Sequence, residues 1–326
     1  MNRLKLAAGL ALSAGLLVFL LWSVDLAELA DQLRQTRLGW VILSAALGTG
    51  GLWVRARRWR YLFPPGPEPP GLVPAMMIGY MANNVLPFRA GEVVRVYVVA
   101  RRWHRGFWTT LATLIVERVL DSLAIVLILG VLVLLIPVPP IFRWGAATLL
   151  AIDMVAVAVL GWLTVAPEAG PRLARKLLTR WPRGAGRLAV VLERFVHGLD
   201  GIRSPAHRAP LAVWSVLVWI MPALAAWVAF RAMELDLPVI AAWTVLAFVG
   251  LGISVPSAPG YVGVFHYAAV LALAIFDVAR PSALGYAIVF HASQVIPITA
   301  IGWLYLLHEH LSLTEARRPP APEGGV

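Results

Sequence analysis

The sequence predicts an all-α polytopic membrane protein of about eight transmembrane helices, with one or two re-entrant or broken Pro/Gly segments. Three observations predict it. Hydrophobic residues make up 60% of the 326 and charged residues only 14%, mean hydropathy is +0.78, and several apolar runs reach the roughly 20 residues that a helix needs to cross a bilayer. Cysteine is absent, which removes disulfide frameworks and thiolate chemistry together. The formal charge of +11 lies between apolar segments and not on an amphipathic soluble domain. The basic residues therefore read as topology signals and lipid-headgroup contacts, and nucleic acid is not an expected partner.

The first run, residues 6–24, follows Arg3 and Lys5. It exceeds the 7–15 residue apolar region of a secretory signal and lacks a small-x-small cleavage site, so it reads as an uncleaved first span. The next stretch, "DLAELADQLRQTR" at 25–37, places Leu26, Leu29, Ala30 and Leu33 on one face. It reads either as a short helix lying in the interface or as a plain connector. Apolar periodicity and breakers set further spans near 38–54, 109–136, 142–165, 210–230, 238–255, 260–277 and 283–307. Residues 1–312 are expected to form one integral membrane domain, with a basic loop at about 167–209 built of amphipathic helices held to anionic lipid. Residues 313–326, rich in Pro and Gly, read as a disordered cytoplasmic tail.

Charge decides the sidedness. With the N-terminus inside, 20 basic residues face the cytoplasm against five outside, leaving Arg89, Arg95 and Arg118 at membrane depth or its edge. The positive-inside rule thus predicts a multi-pass protein of the cytoplasmic (inner) membrane with both termini cytoplasmic. Because "RARRWR" (55–60) and "ARRWHR" (100–105) both want that side, residues 72–100 must enter the membrane and return, or lie on it. Pro87 and Gly91 supply the break for a re-entrant hairpin. The spacing P-x-x-x-G recurs at Pro256 to Gly260, followed by Gly263, with Pro259 between them. Segment 238–277 is then either two kinked spans or a second hairpin of opposite sense, the sequence sign of an inverted repeat with broken, gating segments.

Several polar groups fall inside apolar runs. In "NNVLPFRAGEVVR", Asn83, Asn84 and Arg89 are candidate headgroup contacts, while Glu92 and Arg95, three apart, could pair with each other. In "ERVLD", Arg118 and Asp121 can pair, whereas Glu117 and Asp121, four apart, repel unless a cation lies between them. Either that span begins near Val119, or the two acids orient Arg89, Arg95 and Arg118 around an anionic headgroup. Asp153, within "LLAIDMVAVAV", is a functional candidate or a locally paired acid. His266, with His291 and Gln294, reads as cavity-lining hydrogen-bond donors and acceptors. Neither a metal site nor any other cofactor is expected, since no acid stands at ligand spacing and no Walker-type phosphate loop appears.

Taken in order, "NNVLPFRAGEVVRVY", "VERVLD" and "VPSAPGYVGVFHYA" resemble the flippase-like membrane family that includes the transmembrane region of lysylphosphatidylglycerol synthase. The resemblance covers most of the chain. It implies a helical domain that moves or accommodates lipids, with matched positions Asn83, Asn84, Pro87, Arg89, Gly91, Glu92, Arg95, Glu117, Arg118, Asp121, Pro256, Pro259, Gly260 and Gly263. Many relatives carry an acidic residue in place of His266, and full-length synthases continue into a soluble aminoacyltransferase domain that this sequence does not show, so aminoacyl transfer is not expected. The function expected is a lipid flippase or translocator that binds an anionic headgroup, of a phospholipid or a polyprenyl phosphate, in a polar intramembrane cavity, with no catalytic residues. The alternatives are a membrane enzyme acting on lipid-linked substrates and a non-transporting scaffold for a partner lipid synthase.

Overall fold

The computed structural model describes residues 3–22, 24–87, 89–103, 106–177, 182–255 and 257–308. The expected tail at 313–326 and Pro256 lie outside them. Among the described residues every regular element is helical. Five helices are long and apolar enough to cross a bilayer: α3 (Leu38–Arg60), α6 (Phe107–Leu135), α7 (Pro140–Val165), α11 (Pro205–Ala232) and α14 (Arg280–His308). At 1.5 Å per residue even the shortest spans roughly 35 Å. The chain is a multi-pass membrane protein.

Three of the eight expected spans fall outside these five. The first is α1 (Arg3–Trp22), followed after a turn of 92° by α2 (Leu26–Arg34). The segment at 25–37 is thus a helix and not a plain connector; Asp25 caps it by accepting from the amides of Ala27 and Glu28, and Leu29 is buried. The other two are α12 (Val239–Gly252) and α13 (Val264–Ala274), of 14 and 11 residues. Their lengths, about 21 and 17 Å, fall short of the hydrocarbon thickness. They pack along each other as a hairpin, with Gly252 against Val264 and Ala268.

The stretch at 72–100 forms the matching feature. Helices α4 (Leu72–Val85) and α5 (Ala90–Trp103) are also short and pack side by side. At their crossing Gly79 and Gly91 meet back to back: a Cβ on Gly91 would lie 1.8 Å from the Gly79 carbonyl oxygen. Gly91 therefore does not make the turn, as the sequence suggested. It lies in the first turn of α5, and the residue with left-handed backbone is Arg89 (φ 52°).

Each hairpin stands in its own apolar core. Met76, Ile78, Met81, Val94 and Val98 of the first pack with Trp59 and Phe63. The second contributes Ala241, Ala242, Val245, Phe248 and Ala269 to a core shared with Phe230 and Tyr286. Helix α14 packs on both α4 and α13 and so bridges the two. The basic loop at 167–209 forms the amphipathic α8 (Ala169–Leu177) and α9 (Pro182–His197), then the single turn α10 (Asp200–Arg203). It is strapped to the bundle: Cβ atoms on Gly198 and Gly201 would lie 2.4 Å from Thr109 O and 2.2 Å from Leu62 O, and Arg203 donates to Leu163 O at 3.1 Å.

Candidate functional site: a charged cavity where two hairpin tips meet

Helix α3 runs unbroken through "RARRWR". Arg55 and Arg58, three apart, consequently share the face turned toward α6, where Glu117 and Asp121 lie one turn apart. Arg58 Nη2 stands 2.7 Å from Asp121 Oδ1 and 3.5 Å from Glu117 Oε1. Arg55 Nη1 reaches Asp121 Oδ2 at 2.8 Å. Arg118 Nη2 lies between the two acids, 2.7 Å from Glu117 Oε1 and 3.0 Å from Asp121 Oδ2. The cation that the i,i+4 acid pair requires is thus supplied three times, once by α6 and twice by α3. Sequence reasoning missed Arg55 and Arg58, assigning "RARRWR" wholly to the cytoplasmic loop; their three-residue spacing was the available signal.

Arg95 completes the buried side. Its Nη1 lies 3.0 Å from Glu117 Oε2 and 3.1 Å from the Met76 sulfur, with the guanidinium 4.8 Å over the Trp59 ring. Glu117, Arg58 and Arg95 are at most 1% exposed. Glu92 does not take Arg95 as partner. It stands 3.5 Å from Arg118 and 3.7 Å from Arg89, three residues before it. Five arginines (55, 58, 89, 95, 118) face three carboxylates (92, 117, 121), an excess of 5 − 3 = 2 positive charges within the ion-pair cluster, which falls to 5 − 4 = 1 with Asp153 of the cavity lining counted. The Nε and one Nη of both Arg58 and Arg95 find no hydrogen-bond partner among the described residues. Uncompensated buried cations cost several kcal/mol, so the cluster favours an anion beside it.

There is room for one. A cavity of about 590 Å³ opens where the helices converge, with Arg55, Arg89, Arg118, Glu92 and Asp121 in its wall. That is within the range of pockets that enclose small organic ligands. At its edge the two hairpin tips touch. Arg89 Nη2 donates to Ile253 O at 3.0 Å and its guanidinium lies 5.8 Å over the ring of Tyr261. A Cβ on Gly260 would stand 3.3 Å from Asn84 O. Tyr261, like Arg89, is a non-glycine residue with positive φ (59°). Such a backbone is uncommon and persists where the surroundings over-determine it.

The remaining predicted positions divide between wall and support. Asn84 lines the cavity and donates from Nδ2 to Thr299 Oγ1 at 2.9 Å. Asn83 is turned away against Gly91, its Oδ1 without a partner among the described residues. Asn83 and Arg95, expected as headgroup contacts, therefore lie behind the wall. His266 is also behind it, accepting from Gly263 N at 3.3 Å. Its ring meets that of His291 edge-on at 4.9 Å; His291 is the one in the wall, donating from Nε2 to Gly260 O at 2.8 Å. Pro87, Pro259, Gly260 and Gly263 all lie in the helix breaks. Asp153 and Gln294, from α7 and α14, join the lining. Among the described residues no group of three or more His, Asp or Glu side chains is placed to hold a metal.

Two short-helix hairpins meeting over a charged cavity, inside a frame of long apolar helices, define a polytopic membrane protein of the broken-helix kind. The chain matches the family model described as Lysylphosphatidylglycerol synthase TM region over residues 6–302, and it belongs to that family. Among curated proteins it is 27% identical over 306 residues to one named Glycosyltransferase AglD from Haloferax volcanii, covering 84% of this chain and 49% of that protein. It is 25% identical over 211 residues to one named UPF0104 membrane protein from Methanothermobacter thermautotrophicus, covering 59% of this chain and 61% of the other. The chain thus spans about half the length of the first relative and three-fifths of the second. No solved structure matches it.

Proposed function

We propose that the protein is a translocator for an anionic lipid of the cytoplasmic membrane, oriented with both termini in the cytoplasm, and that it is not itself an enzyme. One observation carries this reading: the surplus of positive charge stands at a cavity large enough for a headgroup. Arg55, Arg89 and Arg118 present guanidinium forks suited to phosphate oxygens. The carboxylates of Glu92 and Asp121 hold those forks in place. Arg58, Glu117 and Arg95 brace them from behind. The tip contact between Arg89 and Ile253 is the part that a headgroup would compete for, which links occupancy of the cavity to the relation between the hairpins.

The test is a reconstituted-liposome assay with labelled anionic phospholipid. The wild-type protein should equilibrate label between leaflets faster than protein-free vesicles, and Arg89→Ala should fall to the protein-free rate while retaining its elution profile in detergent. Wild-type movement in that variant would remove Arg89 from the role. A second reading, a membrane module serving a partner enzyme that acts on lipid-linked substrates, is favoured by the similarity to half of a protein named as a glycosyltransferase. Absence of leaflet movement in the wild type would support it, and chemical conversion of the lipid by the protein alone would support an enzyme.

A further inference from the structure

Asp153, in the middle of α7, is the one acid of the cavity wall that stands outside the ion-pair cluster. It is 2% exposed, and its Oδ2 has no hydrogen-bond partner among the described residues. Its Oδ1 lies against the Ser122 hydroxyl of α6, and that same hydroxyl oxygen is 3.1 Å from the carbonyl oxygen of Val119. A serine hydroxyl has one hydrogen to give, and a backbone carbonyl only accepts. When the hydrogen goes to Val119, the contact with Asp153 is filled only by a proton on the carboxyl. The other arrangement, an ionised Asp153 accepting from Ser122, leaves a charge inside the membrane with one oxygen bare and no cation in contact, which costs more. Both contacts are made at once when Oδ1 carries a proton and donates it to Ser122 Oγ.

The surroundings give that proton a consequence. Helix α7 packs on α6 and α12, and α12 carries no charge. From α6, Arg118 and Asp121 share the wall with Asp153, and Glu117 is buried behind them. Arg55, Arg89, Glu92 and His291 stand in the same wall from other elements, with Tyr80 and Tyr261. Arg203 of α10 meets α7 only at its last turn, at Leu163 O. A proton on Asp153 raises the positive surplus from 5 − 4 = 1 to 5 − 3 = 2. An anion at the arginines and a proton at Asp153 therefore favour each other, each by the same factor. We propose that Asp153 is a proton-binding site linked to the anion site: the protein takes up a proton with the headgroup it binds, and a proton gradient drives the lipid. This rests on the headgroup-binding part of the proposed function.

Binding against pH tests it. The purified full-length protein in detergent is titrated with dioctanoyl phosphatidylglycerol, whose phosphodiester stays ionised, at a series of pH values. Above the pH at which the free protein releases the Asp153 proton, the Kd should rise about tenfold per pH unit, the slope of one linked proton. Asp153→Asn, neutral at every pH, should bind with a flat profile. Ser122→Ala removes the acceptor of the acid's proton, so it should keep the slope and move its onset to lower pH. A shift to higher pH would mean that the hydroxyl donates to a carboxylate, and overturns the proposal. A flat wild-type profile overturns it with no variant needed. So does a slope that survives Asp153→Asn, or one that is lost in His291→Gln, which would make the histidine the proton carrier. Binding at no pH removes the headgroup-binding reading and this inference together, whereas binding that ignores pH removes the inference alone.

Discussion

The two hairpins share an architecture and differ in chemistry. Each joins two short helices through a proline-containing break, each holds a non-glycine residue in left-handed backbone at its tip, and each brings its helices close at a glycine. The first carries Arg89, Glu92 and Arg95. In the second, α12 and α13 carry no charged side chain, and His266 is their one imidazole. Their cores differ accordingly, with Met, Trp and Val around the first and mostly Ala, Val and Phe around the second. A shared scaffold thus carries charge on one side only: the first hairpin supplies the charged part of the wall and the second completes it.

That asymmetry can be broken by substitution. The largest effect is expected at the buried charges: Glu117→Ala strands Arg95, while Arg58 keeps Asp121, and should cost about 3–5 kcal/mol, read as a large fall in melting temperature in detergent. Replacing both members, Glu117→Leu with Arg95→Leu, should recover part of the loss. In the second hairpin His266→Leu leaves only the Gly263 amide without its acceptor, a cost of about 1–3 kcal/mol. Equal losses for Glu117→Ala and His266→Leu would abolish the distinction. Next comes the glycine pair. Gly91→Ala puts a methyl 1.8 Å from a carbonyl oxygen, whereas Gly252→Ala meets side-chain carbons at 3.3 Å. The first should cost about 3 kcal/mol and the second less than about 1, measured by the same unfolding assay. A small effect, about 1 kcal/mol, is expected for Asn84→Ala, which gives up one hydrogen bond to Thr299 beside the tip contact.

Much of this was legible in the residues. The long helices announced themselves because an apolar run of span length has few other uses, and charge counting alone required 72–100 to double back. The second hairpin stayed ambiguous for a physical reason: "VLAFVGLGISVPSAPGYVGVF" is apolar throughout, and hydropathy does not distinguish a short buried helix from a span. Arg55 and Arg58 were hidden by their neighbours, because an arginine run at a helix end looks the same whether its side chains turn to water or to buried acids. The repulsive spacing of Glu117 and Asp121 was the visible half of that arrangement, and the direction of the α3 face was the half that only coordinates supply. Arg95 and Asn83 mislead from sequence because a residue in a motif may serve the site by bracing it.

Helix α1 has a close hold on the second tip. A Cβ on Gly263 would lie 2.5 Å from Ser13 O, Gly9 packs on the backbone of Ser257, and the Ser13 hydroxyl accepts from the Ala258 amide at 2.9 Å. With contacts that tight, any shift of the break is expected to carry α1 with it. A spin label on the exposed outer face of α1, at Val18, should then report every excursion of a loop that no label could enter without displacing it.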